Sequence, residues 1–279
     1  MDDFSGLSFG AYRLTRLLAQ GENAQVYAGE HERTSSQVAV KVPYRPHTRA
    51  TWEQLLAEAR LLARFDHPHI VHLLDVGEQV LATESVVYLV LEYAPSGTLR
   101  EQHPKGTCLP LQKLLSYVAQ IAAALQYLHD RRVIHRDIKP EHMLMGAQEQ
   151  LLLCGFGAAL SLQDAVSQKS LPLVGTLAYM APEQLQGHAS PASDQYALGC
   201  VVYEWLTGAP PFRGPFAAIS QQHTGAVPAP IVEKRPQIPL AIAQVVMTAL
   251  EKEPELRFPH VLDFANALEQ AYATVEQHA

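Results

Sequence analysis

Ile134-His135-Arg136-Asp137-Ile138-Lys139-Pro140-Glu141-His142 carries the most specific signal in the chain. Beyond it, Leu151-Leu152-Leu153-Cys154-Gly155-Phe156-Gly157 reads as a short buried strand running into a turn, and Ala181-Pro182-Glu183 follows. Working outward toward the N-terminus, Tyr12 to about Tyr44 falls into three apolar runs separated by Gly21-Glu22-Asn23 and by Glu32-Arg33-Thr34-Ser35-Ser36. That pattern predicts a hairpin and a third antiparallel strand. Leu55, Ala59, Leu62 and Ala63 are at helical spacing, and Asp66-His67-Pro68 stops that helix. Two further strands fit Val71 to Gly77 and Val86 to Tyr93.

At Ala94-Pro95-Ser96-Gly97 the character changes, and from Leu109 helical periodicity dominates. Leu114, Val118, Ile121, Leu125 and Leu128 belong to a wide apolar stripe, the mark of a core helix. Tyr196 to Leu206 is apolar nearly all round and ends before Pro210-Pro211, which cannot continue a helix. Leu240 to Glu251 and Val261 to Val275 are two more helices. The expected organisation is residues 1–93 as a five-stranded antiparallel sheet with one helix, and residues 94–279 as a mainly helical lobe.

The 279 residues are 48% hydrophobic and 18% charged, as in an ordinary globular protein. A net charge of −7 argues against nucleic-acid binding through a basic surface. Three cysteines without CxxC spacing fit a reducing, cytoplasmic compartment better than a disulfide framework. The acidic start Met1-Asp2-Asp3-Phe4 and the lack of an apolar run near ~18 residues speak against a signal peptide and a membrane span.

From about residue 10 to 275 these stretches resemble the protein kinases, and most closely the bacterial serine/threonine kinases. The resemblance implies an α+β, bilobal kinase-like fold. Leu18 to Tyr27 is similar to the glycine-rich loop, with Gly21 kept and Ala19 and Ala24 at flanking glycine places. It further implies an adenine pocket of Leu18, Val26, Ala39, Leu91 and Leu144, with backbone groups of Glu92, Tyr93 and Ala94 facing the base. Lys41 of Val38-Ala39-Val40-Lys41 would grip phosphates and Glu58 would hold it. Asp137 would be the catalytic base, Lys139 would lie near the transferred phosphoryl group, and Glu183 would pair with Arg257.

Two positions depart from the family pattern, and both are metal-ligand positions. His142 stands five residues after Asp137, where the family has Asn, and Gly155 stands where the family has the Asp of Asp-Phe-Gly. Gly coordinates nothing, and imidazole suits a hard, oxygen-seeking ion poorly. Losing one preorganised electrostatic contact costs about 10²–10³ in rate. The leading expectation is therefore a pseudokinase: a regulatory or scaffolding domain with a protein partner, binding ATP weakly or without magnesium. A protonated His142 would then replace part of the missing cation, raising affinity below about pH 6.5. The alternative is an active serine/threonine kinase with an atypical metal site built from His142 with Asp137 or an acidic residue such as Asp164. A third reading is an interaction module that binds no nucleotide. Ser161, Ser167 and Ser170 could take phosphate toward Arg136.

Overall fold

The computed structural model describes residues 3–21, 23–44, 49–81, 84–162 and 174–277. Asp164, Ser167, Ser170 and Glu22 lie outside them. The chain divides into two compact units, Met1–Ser96 with Gly146–Leu152, and Gly97–Met145 with Leu153–Ala279.

The first unit is an antiparallel sheet of β1 (Ser8–Phe9), β2 (Tyr12–Gln20), β3 (Ala24–His31), β4 (Gln37–Pro43), β5 (Leu73–Leu81) and β6 (Glu84–Glu92). The strand order is β1-β2-β3-β4-β6-β5. The sheet thus has six strands where five were expected. The extra one is a two-residue edge paired Ser8↔Arg13 and Phe9↔Tyr12, too short to show a period of two in sequence.

Alternation along β4 divides its side chains between two faces. Val38, Val40 and Val42 join Phe4, Phe9, Leu14, Tyr27, Tyr88 and Val90 in one buried cluster. Ala39 and Lys41 point the other way, and the pairings Ala39↔Leu91 and Val26↔Lys41 put Leu91 and Val26 on their face. The helix Arg49–Leu62 packs against β4, β5 and β6.

The second unit is built on two core helices. Leu111–Asp130 buries the predicted stripe, including Leu114, Val118, Ile121, Leu125 and Leu128. Pro191–Thr207 is buried continuously from Ser193 to Leu206, with Pro191 at its first turn and Gly208 beyond its end in the left-handed conformation (φ 80°). Both pack with Val261–Glu276, and Leu240–Ala249 closes the group. Short helices at Leu99–Gln102, Pro182–Leu185 and Ile231–Lys234, and a longer one at Phe216–Gly225, were not foreseen; one turn carries too little periodicity to read. No helix among the described residues is long and apolar enough to cross a membrane.

A buried ion pair ties the short helix Pro182–Leu185 to the C-terminal part of this unit. Arg257 donates to Glu183 at 2.7 and 2.9 Å, and also to the carbonyls of Glu251, Ala192 and Lys252. Its side chain is 0% exposed and that of Glu183 11%. Removing one partner of such a pair strands the other, so Arg257→Met should cost about 3–5 kcal/mol in chemical denaturation. A loss under about 1 kcal/mol would show that water reaches Glu183 freely.

His223 is wholly buried, with Tyr196 Oη 2.9 Å from its Nδ1 and the Phe212 ring across its face. Burial, helped by the charge of Lys252, pushes its imidazole down to about 4. The unfolded chain takes up this proton near pH 6.5, so folded stability should fall as pH drops from about 6.5 to about 4. His223→Gln should flatten that decline in a pH series of thermal melts, by up to roughly 3 kcal/mol at the acid end. Parallel profiles for the two proteins would contradict this.

Candidate active site

The sequence-predicted residues fall on both units. On the first, Lys41 Nζ lies 2.8 and 2.6 Å from the two Glu58 oxygens. Glu58 sits on Arg49–Leu62 with its side chain 5% exposed, and Lys41 is 20% exposed. A buried carboxylate of this kind holds the ammonium in one place, where an exposed pair would leave it free to swing. Leu18 and Val26 are half-buried, and Ala39 and Leu91 are buried at the sheet face that also carries Lys41. Ala94 is half-buried past the end of β6.

Two expected binding groups are engaged locally. The Gly21 amide donates to the Ala24 carbonyl at 2.8 Å, closing the hairpin, and the Gly21 carbonyl accepts from Tyr44 Oη at 2.9 Å. The Glu92 amide donates to the His72 carbonyl at 2.9 Å, while its carboxylate lies 2.8 Å from His72 Nδ1.

The chemistry-bearing residues gather on the second unit. Ile134 ends the short strand Val133–Ile134, and Arg136 follows at φ +67°, a conformation non-glycine residues seldom adopt. Asp194, on the core helix Pro191–Thr207, holds the chain there. Its carboxylate accepts from the amides of His135 (2.9 Å) and Arg136 (2.8 Å), and lies 2.8 Å from His129 Nε2. Burial opposes the charge on Asp194, but the hydrogen bond and charge of His129 and the His135 amide outweigh it, keeping the carboxyl below its ordinary range.

Asp137 is fixed next. Its Oδ1 accepts from the Thr176 amide at 2.8 Å, and its Oδ2 lies 2.8 Å from Lys139 Nζ. Lys139 also donates to Thr176 Oγ1 at 2.7 Å, so the three residues form a closed ring of contacts. Burial would raise the Asp137 carboxyl; His142 when charged, Lys139, and the hydrogen bonds from Lys139 and Thr176 hold it below the usual carboxylate value. It is therefore ionised at neutral pH and acceptor-only. Leu144 is half-buried on the strand Met143–Met145, bridged to Thr98.

His142 closes the 3-10 turn Pro140–His142. Its Nδ1 lies 2.9 Å from the Asp137 carbonyl and 3.4 Å from Asp137 Oδ2. A carbonyl only accepts, so Nδ1 carries the proton and Nε2 keeps its lone pair. Burial pushes the imidazole down to about 4, against the pull of Asp137. The expected protonation near pH 6.5 is thereby corrected: the ring is neutral at pH 5.8 and at pH 7.5, and supplies no cationic charge at either.

Gly155 follows the strand Leu151–Leu153 and opens the turn Phe156–Ala158 at φ 82°, ψ 40°. A Cβ placed there would lie 2.5–2.6 Å from three atoms of the His142 ring. The two departures from the family pattern are one packing arrangement, in which the imidazole covers the place of a side chain at 155. His135 joins the two loops: it lies 2.9 Å from the Cys154 carbonyl through Nε2, accepts the Asp137 amide through Nδ1 at 3.3 Å, and stacks edge-on against Phe156.

Sequence reasoning missed Asp194 and His135 as positioning residues. The available signal was a carboxylate, Asp194, at the start of a helix that is apolar nearly all round beyond it; a buried charge there must have partners. It also missed the cluster in which Arg100 donates to Glu141 and Glu204 at 2.8 Å, and Tyr179 to Glu204 at 2.6 Å. Nothing local in sequence joins residues so far apart.

A family model described as protein kinase domain matches residues 12–272. The serine/threonine-protein kinase PknB of Mycobacterium leprae is 34% identical over 88% of this chain and 40% of its own length. PknE of Mycobacterium bovis is 35% identical over 98% of this chain and 48% of its own, and PknH of the same organism 33% over 99% and 46%. The chain thus spans less than half the length of these curated relatives. All three are named as serine/threonine-protein kinases, which overturns the expectation of an inactive regulatory or scaffolding domain and favours the enzyme reading. With the match running from β2 to the last helix, the chain belongs to the protein kinase domain family.

Proposed function

We propose that this chain is the kinase domain of a serine/threonine protein kinase, which moves the γ-phosphoryl group of ATP to a hydroxyl of a protein partner. The observation that carries the reading is the ring of Asp137, Lys139 and Thr176, with Asp137 ionised and held by donors on both oxygens. Such a carboxylate can accept the proton of a serine or threonine hydroxyl as its oxygen attacks the γ-phosphorus. The bond from that phosphorus to the bridging oxygen breaks, and ADP leaves with the electron pair. In this reading Lys139 offsets charge on the transferred group, and Lys41, steadied by Glu58, takes the α and β phosphates.

Leu18, Val26, Ala39, Leu91 and Leu144 remain the proposed adenine contacts, with the backbone near Ala94 facing the base. Cys108, Cys154 and Cys200, none of them in a disulfide, support a reducing, cytoplasmic setting.

The family's chemistry implies magnesium, and the donor set here does not fit it. Magnesium asks for near-octahedral oxygen ligands. The usual carboxylate position is a bare Gly155, its side-chain space covered by the His142 ring, and Asp137 is already engaged by Lys139 and Thr176. We therefore keep the atypical metal site as part of the proposal and route no step through magnesium.

Transfer of radiolabel from γ-labelled ATP to a basic protein or to the chain itself tests the reading, with several divalent ions supplied in turn. The wild-type protein should incorporate label, and Asp137→Asn should lower the rate by about 10²–10⁴, the usual worth of a general base. Incorporation that equals the Asp137→Asn background with every ion would overturn the proposal.

A further inference from the structure

Lys252, just beyond the helix Leu240–Ala249, is half-buried among side chains that the proposed reaction does not use. Its Nζ lies 4.6 Å from the centre of the Phe212 ring and 5.6 Å from that of Tyr196, both of them buried. Nζ also donates to Tyr196 Oη at 3.3 Å and to the Gln222 carbonyl at 3.4 Å. Tyr196 Oη is in turn 2.9 Å from His223 Nδ1, so the hydroxyl gives its proton to the imidazole and its lone pairs to the amine.

This surrounding matches a neutral amine. An NH₂ group has two N–H donors, which the Tyr196 hydroxyl and the Gln222 carbonyl take, and its lone pair is left free. Among the described residues, the third N–H of an ammonium meets ring faces in place of a further oxygen. The charged neighbours are few. The Arg257 guanidinium, 4.8 Å from the centre of the same Tyr196 ring, opposes a second positive charge. Glu251 favours one but is exposed, and burial pushes the Cys200 thiol up, so that it carries no charge at neutral pH. His223, held down by burial, is neutral as well. Burial comes first among these influences on Lys252, and its amine is pushed down to about 8. A desolvated lysine beside another cation is an activated nucleophile.

We propose that Lys252 is a covalent modification site of the folded chain, the lysine that small acyl phosphates acylate in preference to the others. The amine nitrogen attacks the acyl carbon, the bond from that carbon to the phosphate oxygen breaks, and phosphate leaves with the electron pair. The proton lost from nitrogen goes to water. The product is an uncharged amide, which gives up the ammonium's hold on the Phe212 and Tyr196 rings. The half-buried nitrogen favours a short acyl group over a long one. None of these residues belongs to the Asp137–Lys139–Thr176 ring, so the inference does not depend on the kinase reading.

The test treats the folded chain with acetyl phosphate across a pH series, unfolds it, and caps the remaining amines with isotopically heavy acetyl groups. Mass spectrometry of the peptides then gives a rate for each lysine. At about pH 7.5 Lys252 should react at least about fivefold faster than the median lysine, because far more of it is neutral there than of an ordinary lysine. Its rate should level off above about pH 8, while the others keep rising about tenfold per pH unit toward pH ~10. In the urea-unfolded chain its lead should vanish. A Lys252 rate at or below the median, a pH profile parallel to the others, or the same lead in the unfolded chain would each overturn the inference.

Discussion

The loop from His135 to Asp137 hangs on the Asp194 carboxylate. A charge buried in the core helix would be costly unless every lone pair were used, and here it accepts the amides of His135 and Arg136 and meets His129. Those bonds hold Arg136 in its left-handed conformation and set the direction in which Asp137 leaves the loop. The strained backbone and the buried charge are two halves of one arrangement, each tolerable because of the other. His135 then carries the order across to the turn at Gly155 through the Cys154 carbonyl and the face of Phe156. The precision of the Asp137–Lys139–Thr176 ring thus originates one layer deeper, in the helix core.

Much of this could be read from the sequence, for identifiable reasons. The three apolar runs between Tyr12 and Tyr44 located the strand that carries Lys41, and the apolar stripe through Leu114 and Leu128 and the near all-round apolarity of Tyr196 to Leu206 located the two core helices. The pairing of Glu183 with Arg257, implied by the resemblance to protein kinases, also stands in the structure. What escaped were features without a period or a local spacing. The two-residue edge Ser8–Phe9 is stabilised by its neighbour and by the aromatic cluster of Phe4 and Tyr88, not by its own pattern. The ionisation of His142 was misjudged because burial cannot be seen in a linear motif, and it moved the imidazole from an expected cation to a neutral donor and acceptor.

The kinase names of the relatives stand against reading His142 and Gly155 as marks of an inactive domain. Counted separately, they are two lost oxygen ligands. Taken together in space they are a substitution of one side chain for two, in which the imidazole fills the room that the glycine vacates. The Asp137–Lys139–Thr176 ring, the Lys41–Glu58 pair and the kinase names of the relatives all favour the proposed kinase reading.

An anomalous-scattering crystal structure of the chain with Mn²⁺ or Co²⁺ and β,γ-methylene-ATP tests the proposed atypical metal site most directly. A histidine-ligated cation gives an anomalous peak at metal–nitrogen bonding distance, roughly 2.0–2.2 Å, from His142 Nε2. A peak held only by phosphate oxygens and water, with the imidazole turned away from it, would contradict such a site.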